Sequence, residues 1–402
     1  MQSMQKTPPI WIMVLVAGLS QMSETVYTPS LPEIARALHT AASMVEYTLT
    51  IYLFGMAIGV LFWGKLSDSL GRKPCIIAGL LIFIIGCIGC YFSTTITMLM
   101  ISRFVQAFGG SIGSVLGQAL CRDAFCGPDL SKIYATMGSA LAVFPAVGPI
   151  IGGYIADNFG WINIFLFLIA FALFVCVSVV FWLPETHDVT RRKKVSAISI
   201  AQKLMLDKKV IGLGLLVAAS NGILFSYFAE GSFFLIDLLG LSASKYGMSF
   251  IFIASATMLG GIVSKKLHAY VSSMTIMNFG LSVVLCSTAL FSSIILITPF
   301  FTLSPLTLVL TTIILHMMTV FGICMITSNA LAAALVDYRD CIGTASSLFG
   351  CFYMTGISLS TFGMGLLHNG TLFPMPLYFL TIAIFMKIIY FAMIKEKTFS
   401  VK

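Results

Sequence analysis

GKLSDSLGRKP, residues 64–74, is a polar interlude between two runs too apolar for water. Before it, residues 46–63 carry one charge, Glu46. After it, residues 75–92 carry none. A helix of about 20 apolar residues, rising 1.5 Å per residue, crosses the ~30 Å hydrocarbon core of a bilayer. The stretch therefore reads as the turn of a hairpin between two membrane-spanning helices. Gly64 and Gly71 permit tight turning and close helix approach. Asp68 is placed to cap a neighbouring helix start, where the macrodipole favours an anion. Arg72 and Lys73 are placed to pair with acids on the same face.

The rest of the chain repeats this pattern. Of 402 residues, 58% are hydrophobic and 9% charged, against about 25% charged in soluble proteins. Apolar runs fall at about 10–29, 46–63, 75–92, 98–119, 132–155, 161–182, 210–234, 246–264, 274–296, 305–327, 342–366 and 376–394. They do not alternate, so a transmembrane β-barrel is excluded. Lys6 is the only charge before the first run and no small-residue cleavage site follows it, so 10–27 reads as a retained span. The polar, basic segment 183–209 divides an N-terminal six-helix half, 1–182, from a C-terminal one, 210–402. Such duplication suits two bundles around a site at the membrane midplane. The fold class expected is thus all-α and polytopic, with twelve transmembrane helices in two pseudo-symmetric bundles.

Lysines and arginines set the orientation. One side holds Lys6, the 64–74 loop, Arg122, Lys132, the 183–209 segment, Lys265, Lys266, Arg339 and the C-terminal lysines, whereas the other side's loops hold only Arg36 and Lys245. By the positive-inside rule both termini are cytoplasmic. The net charge of +8 is a topology signal spread over separate loops, not a nucleic-acid footprint. Cys87 and Cys90 form a CxxC within an apolar helix without basic neighbours, which reads as small buried side chains, not a redox or metal pair. The five histidines lie on separate segments. With no nucleophile, metal or cofactor constellation, the sequence argues against an enzyme and implies neither cofactor nor metal.

Several motifs carry a family resemblance. Gly64, Leu66, Asp68, Gly71, Arg72 and Lys73 match GxLxDxxGRK, and here the chain resembles the major facilitator superfamily, whose loop latches the cytoplasmic side during alternating access. RFVQAFGG, beginning at Arg103, is similar to that family's RxxQ motif, whose arginine belongs to the proton-coupling machinery. AVGPIIGG, with Gly148, Pro149, Gly152 and Gly153, resembles the GPxxGG signature of proton-coupled drug antiporters. YTPSLPEIA at 27–35, LPET at 183–186 and SNALAAALVDYRDCIGTASSLFG at 328–350 resemble the bicyclomycin/chloramphenicol-resistance (Bcr/CflA) branch. The second-half counterpart of the loop, at about 261–272, keeps only Gly261, Lys265 and Lys266.

Charged residues inside spans are costly and mark candidate sites. Glu24 lies about 21 Å into the first span, leaving roughly 9 Å to the outer edge. Arg103 lies at a similar depth in the fourth, about 8 Å from that edge. The branch usually carries its acid one residue later, where this chain has Thr25. The resemblance implies that Glu24 and Arg103 face the central cavity, where a carboxylate can hold either a proton or a cationic substrate. Glu230, near the outer end of the seventh span, is a second candidate. His316, mid-span in the tenth, is a candidate substrate contact. Glu46 reads as interfacial. The expected protein is a monomeric, proton-coupled antiporter of a bacterial inner membrane that exports small amphipathic compounds or drugs. Its partners are a small-molecule substrate, protons and the lipid bilayer, with no nucleic acid. A carrier dedicated to one siderophore, amino acid or nucleoside and a non-transporting membrane sensor are the alternatives.

Overall fold

A computed structural model describes residues 7–125, 127–186, 197–301 and 303–394. Lys6, the arginines and lysines of 191–194, and the lysines after residue 394 lie outside them. The first half comprises α1 (Ile10–Thr25), a short 3-10 turn and α2 (Leu31–Ala37), then α3 (Ala42–Leu70), α4 (Arg72–Tyr91), α5 (Ile96–Ala124), α6 (Gly127–Leu141), α7 (Phe144–Phe159) and α8 (Asn163–Trp182). A short helix, α9 (Ala197–Leu206), leads into α10 (Lys208–Ser232), α11 (Ala243–Leu267), α12 (Ser273–Ile297), α13 (Pro305–Ala334), α14 (Ile342–Leu367) and α15 (Pro374–Ile389). No water is available in hydrocarbon to satisfy backbone groups, so each crossing segment must bond within itself. The protein is accordingly helical throughout its described spans.

Eleven helices among the described residues are long and apolar enough to cross a membrane. The twelfth crossing is α6 and α7 together. The uninterrupted run expected over 132–155 is broken between Leu141 and Phe144. Pro145 sits in the first turn of α7, where its missing N–H costs nothing, but it cannot continue a preceding helix.

Within each half, one helix pair crosses at glycines. A methyl added at Gly109 of α5 would lie 2.6 Å from the Gly79 carbonyl of α4, and one at Gly322 of α13 would lie 2.7 Å from the Gly280 carbonyl of α12. Dispersion, not water exclusion, holds helices together in lipid, and small residues allow the backbones to approach. The same device therefore serves the third and fourth spans and the ninth and tenth.

Two hydrophobic cores follow the two halves. One runs from Ile12 to Leu183 and includes Phe233. The other runs from Ile200 to Ile394 and includes Leu49 and Leu53 of α3. The halves meet along α3 and α14 and along α7 and α11. Polar contacts between them gather at the end away from the 64–74 loop. There Arg36 of α2 binds Asp237 at 2.7 Å, the Ser244 N–H donates to Asp157 at 2.8 Å, and Ser358 of α14 donates to the Thr50 carbonyl at 2.9 Å. At the loop end, Gly64 lies against Ser347. A cleft of about 220 Å³ opens there between Asp68, Arg72 and Asp123 on one side and Ile342 and Gly343 on the other.

Candidate functional site

Arg103 is 0% exposed, so its guanidinium is packed inside the protein instead of extending along its surface as long cations commonly do. Its guanidinium lies between the rings of Tyr27 and Tyr52, 4.4 and 4.1 Å from their centroids. Nη1 donates to Gln106 Oε1 at 2.6 Å, and Gln106 in turn donates to Cys87 Sγ at 3.0 Å. The cage is itself tied down: Tyr27 shares a hydrogen bond with Thr48 at 2.9 Å, and Tyr52 shares one with Ser23. Two desolvated cation–π faces are worth about 2 kcal/mol each. Even so, Arg103 Nε and Nη2 have no hydrogen-bond partner.

Glu24 is buried on α1, one residue beyond Ser23. It is 9% exposed and makes no ion pair with Arg103 among the described residues. Thr25, at the position where the resemblance places the acid, points elsewhere: a methyl on Gly148 of α7 would collide with its Oγ1. The one-residue displacement keeps the carboxylate off the α7 contact and on the side of Arg103.

The GPIIGG stretch divides its contacts between two helices. Gly148 and Gly152 face Thr25 and Val26 at the end of α1. Gly153 and Pro149 face the backbone of Ala243, Ser244 and Gly247 of α11. This segment is thus wedged between the helix that carries Glu24 and the opposite half.

In the 64–74 loop, Arg72 is the hub. It donates to Asp68, Asp123 and Ser67, each at 2.7 Å. The cap expected of Asp68 comes instead from Glu185 of the LPET segment. Its carboxylate accepts from the N–H groups of Arg72 and Lys73 at 2.9 and 3.0 Å, at the first turn of α4. Asp68 is drawn to the guanidinium one turn away, a charged donor stronger than a backbone amide. Lys73 Nζ donates to the Val180 carbonyl at 2.8 Å. Gly71 has φ +108° and a methyl there would meet Glu185, so the turn requires glycine on both counts. Replacing a capping acceptor costs about 1 kcal/mol. Glu185→Ala should therefore lower the thermal midpoint of the detergent-solubilised protein by about 1 °C, with Glu185→Gln, which keeps an acceptor oxygen, closer to wild type.

The remaining candidates are not gathered at one place. His316 stacks on Tyr227, with ring centroids 3.6 Å apart, and is buried among α10, α13 and α15 of the second half. Glu230, 1% exposed, meets His368 instead, its Oε2 2.7 Å from Nδ1. Glu46 is turned into the protein. It is 0% exposed, and its Oε1 lies 3.2 Å from the same nitrogen. Sequence reasoning missed this cluster because its members come from three distant segments. The available signal was that two acids and a histidine each stand at the same end of a span.

Comparison with known proteins agrees with this architecture. The family model described as Major Facilitator Superfamily matches residues 13–361. An uncharacterized transporter of Rickettsia felis is 33% identical over 377 residues, covering 90% of this chain and 91% of its own. A bicyclomycin resistance protein homolog of Haemophilus influenzae is 30% identical over 360 residues, covering 86% of each. A chloramphenicol resistance protein of Pseudomonas aeruginosa is 28% identical over 373 residues, covering 91% of this chain and 85% of its own. Among solved structures, a bacterial homolog of the human lysosomal transporter Spinster, in an inward-facing and unoccupied conformation, aligns with a TM-score of 0.72 at 14% identity over 95% of both chains, a likeness of fold alone.

Proposed function

We infer function from a single premise: the chain belongs to the Major Facilitator Superfamily, and it is a multi-pass membrane transporter of small molecules, not an enzyme. We propose that it is a proton-coupled antiporter that exports small amphipathic compounds, drugs among them. The relatives named for bicyclomycin and chloramphenicol resistance support the substrate class. The observation that carries the coupling is Arg103, fully buried with two donor atoms unpaired, beside a buried carboxylate that no ion pair holds.

Glu24 can answer Arg103 as a carboxylate, take a proton, or receive a cationic substrate. It cannot comfortably do two of these at once, so proton and substrate compete, and competition gives antiport. Residues 1–182 and 210–402 would rock about the cavity, linked by 183–209, with the Arg72 hub latching one state. The distribution of lysine and arginine supports an orientation with both termini in the cytoplasm of a bacterium and the 64–74 loop inside. The end closed by Arg36–Asp237 then faces outward. The protein would act as a monomer, since each half supplies what the other lacks.

The test is proton flux in reconstituted vesicles under an imposed pH gradient, with cationic, neutral and zwitterionic compounds. Wild type should dissipate the gradient when a substrate is added, and Glu24→Gln should not. Unchanged exchange in that variant would remove Glu24 from the coupling, and an absence of flux in wild type with every compound would overturn the drug-export reading.

A further inference from the structure

Glu46 in the first turns of α3, Glu230 in the last turn of α10 and His368 just beyond α14 meet at the outward end, where the halves touch. Their nearest ligand atoms all lie within 4.8 Å of one another. His368 Nδ1 can carry only one hydrogen, and at 2.7 Å from Glu230 Oε2 that hydrogen is donated to Glu230. Both oxygens of Glu46 and Oε1 of Glu230 are left buried with no hydrogen-bond partner. Phe233 packs on the imidazole, 5.4 Å between centroids. Gly365 of α14 lies against the ring of Tyr47, with Glu46 Oε2 in ordinary contact distance of that face.

The charge does not balance. The hydrogen bond accepted by Glu230, then the neighbouring Glu46 carboxylate, push the His368 pKa up to about 10, so the imidazole is a cation facing two carboxylates. That leaves one surplus negative charge out of water, an expensive arrangement that proteins relieve by neutralisation. Among the described residues, no other group on the surrounding helices supplies the cancelling charge. Arg36 is paired with Asp237, Arg103 is caged beside Glu24, and Lys245 is exposed. Lys387 is held by Asn278 and Ser282, and His316 is stacked on Tyr227. Glu33, the remaining acid nearby, accepts from the Trp161 N–H at 3.4 Å. A proton on the carboxyl pair both cancels the charge and supplies the missing donor. The 2.7 Å contact between His368 and Glu230 is the length of a hydrogen bond, which a shared hydrogen accounts for.

We propose that Glu46, Glu230 and His368 form a proton-binding clamp built from both halves, loaded when the outward end closes. Closing moves one proton from the outer solution onto a carboxyl oxygen of the pair. Parting of α3 from α10 and α14 returns that proton to water as each carboxylate is hydrated. The clamp rests on the alternating access proposed above but not on Glu24, and it makes acid outside a closing signal.

The test reads closure, not transport. Spin labels at Thr94→Cys and Phe300→Cys, exposed on outward loops of opposite halves, report the distance across that end in a cysteine-free, lipid-reconstituted protein. In wild type the closed-to-open ratio should fall by up to about tenfold per pH unit as pH rises between about 5 and 9, as release of one proton requires. Glu46→Gln and Glu230→Gln, which keep the shape and supply an amide donor, should stay closed throughout. Glu24→Gln should keep the response, which separates failure of the clamp from failure of the antiport reading. The proposal is overturned by a wild-type distance indifferent to pH, by a Glu46→Gln variant that responds as wild type does, or by EDTA opening the wild-type clamp at low pH, which would make its occupant a metal.

Discussion

Replacing Arg103 should abolish coupled transport, and the conservative Arg103→Lys should fail nearly as badly as Arg103→Ala. The guanidinium is planar and lies between two tyrosine rings while donating to Gln106. An ammonium is a compact point charge that cannot present two faces, and it is more strongly hydrated. Losing one desolvated cation–π face, about 2 kcal/mol, corresponds to more than about a tenfold change in an equilibrium. Gradient-driven uptake into inverted vesicles should therefore fall at least about tenfold in Arg103→Lys and to background in Arg103→Ala. Tyr52→Phe, which keeps the ring and removes only the hydroxyl bonded to Ser23, separates the two contributions: it should retain most of the flux. Wild-type flux in Arg103→Lys would show that charge alone suffices and that the aromatic cage is incidental.

The second large effect is expected at Gly152. Even one methyl there would overlap the Val26 carbonyl of α1, a backbone atom that cannot rotate away as a side chain can. Gly152→Val should push α7 off α1, the helix that carries Glu24. Overpacking costs about 1–3 kcal/mol. If that cost falls on the state in which α1 and α7 touch, it changes the ratio of states by about 5- to 150-fold. Transport should be lost while the protein still inserts and purifies, because the collision is local to one helix pair. Gly138 is the control: a methyl there meets nothing within 4 Å, so Gly138→Ala should transport normally. A fully active Gly152→Val would mean that this contact is absent from the working cycle.

Which parts were legible in the sequence follows from what each signal measures. Hydropathy counts residues that prefer lipid, and it located every crossing, because the bilayer imposes one length on all of them. It could not see that the 132–155 run is two helices, since Pro145 changes backbone geometry without changing apolarity. The 64–74 loop was legible because its glycines and charges act within a few residues of one another. Its cap was not, because Glu185 arrives from far along the chain to bind the Arg72 and Lys73 amides. The partner of Glu46 is hidden for a related reason. A carboxylate at the start of an apolar run shows its depth but not the rotation of the run, and packing against α14 turns it to His368. Cys87 and Cys90 were read as small buried residues, and the structure buries both, with Gln106 donating to Cys87.

The caged arginine also bears on how the chain is assembled. An arginine in the hydrocarbon part of a lone helix costs up to about 2.5–3.5 kcal/mol to insert, and α5 is among the least apolar of the crossing helices. Taken alone, α5 is a poor candidate to leave the translocon for lipid. The aromatic walls that shelter its arginine come from Tyr27 and from Tyr52 of α3, both synthesised before it. The order of the polypeptide thus has the shelter emerge ahead of the charge, so the segment hardest to insert is delivered into a partner already waiting in the membrane.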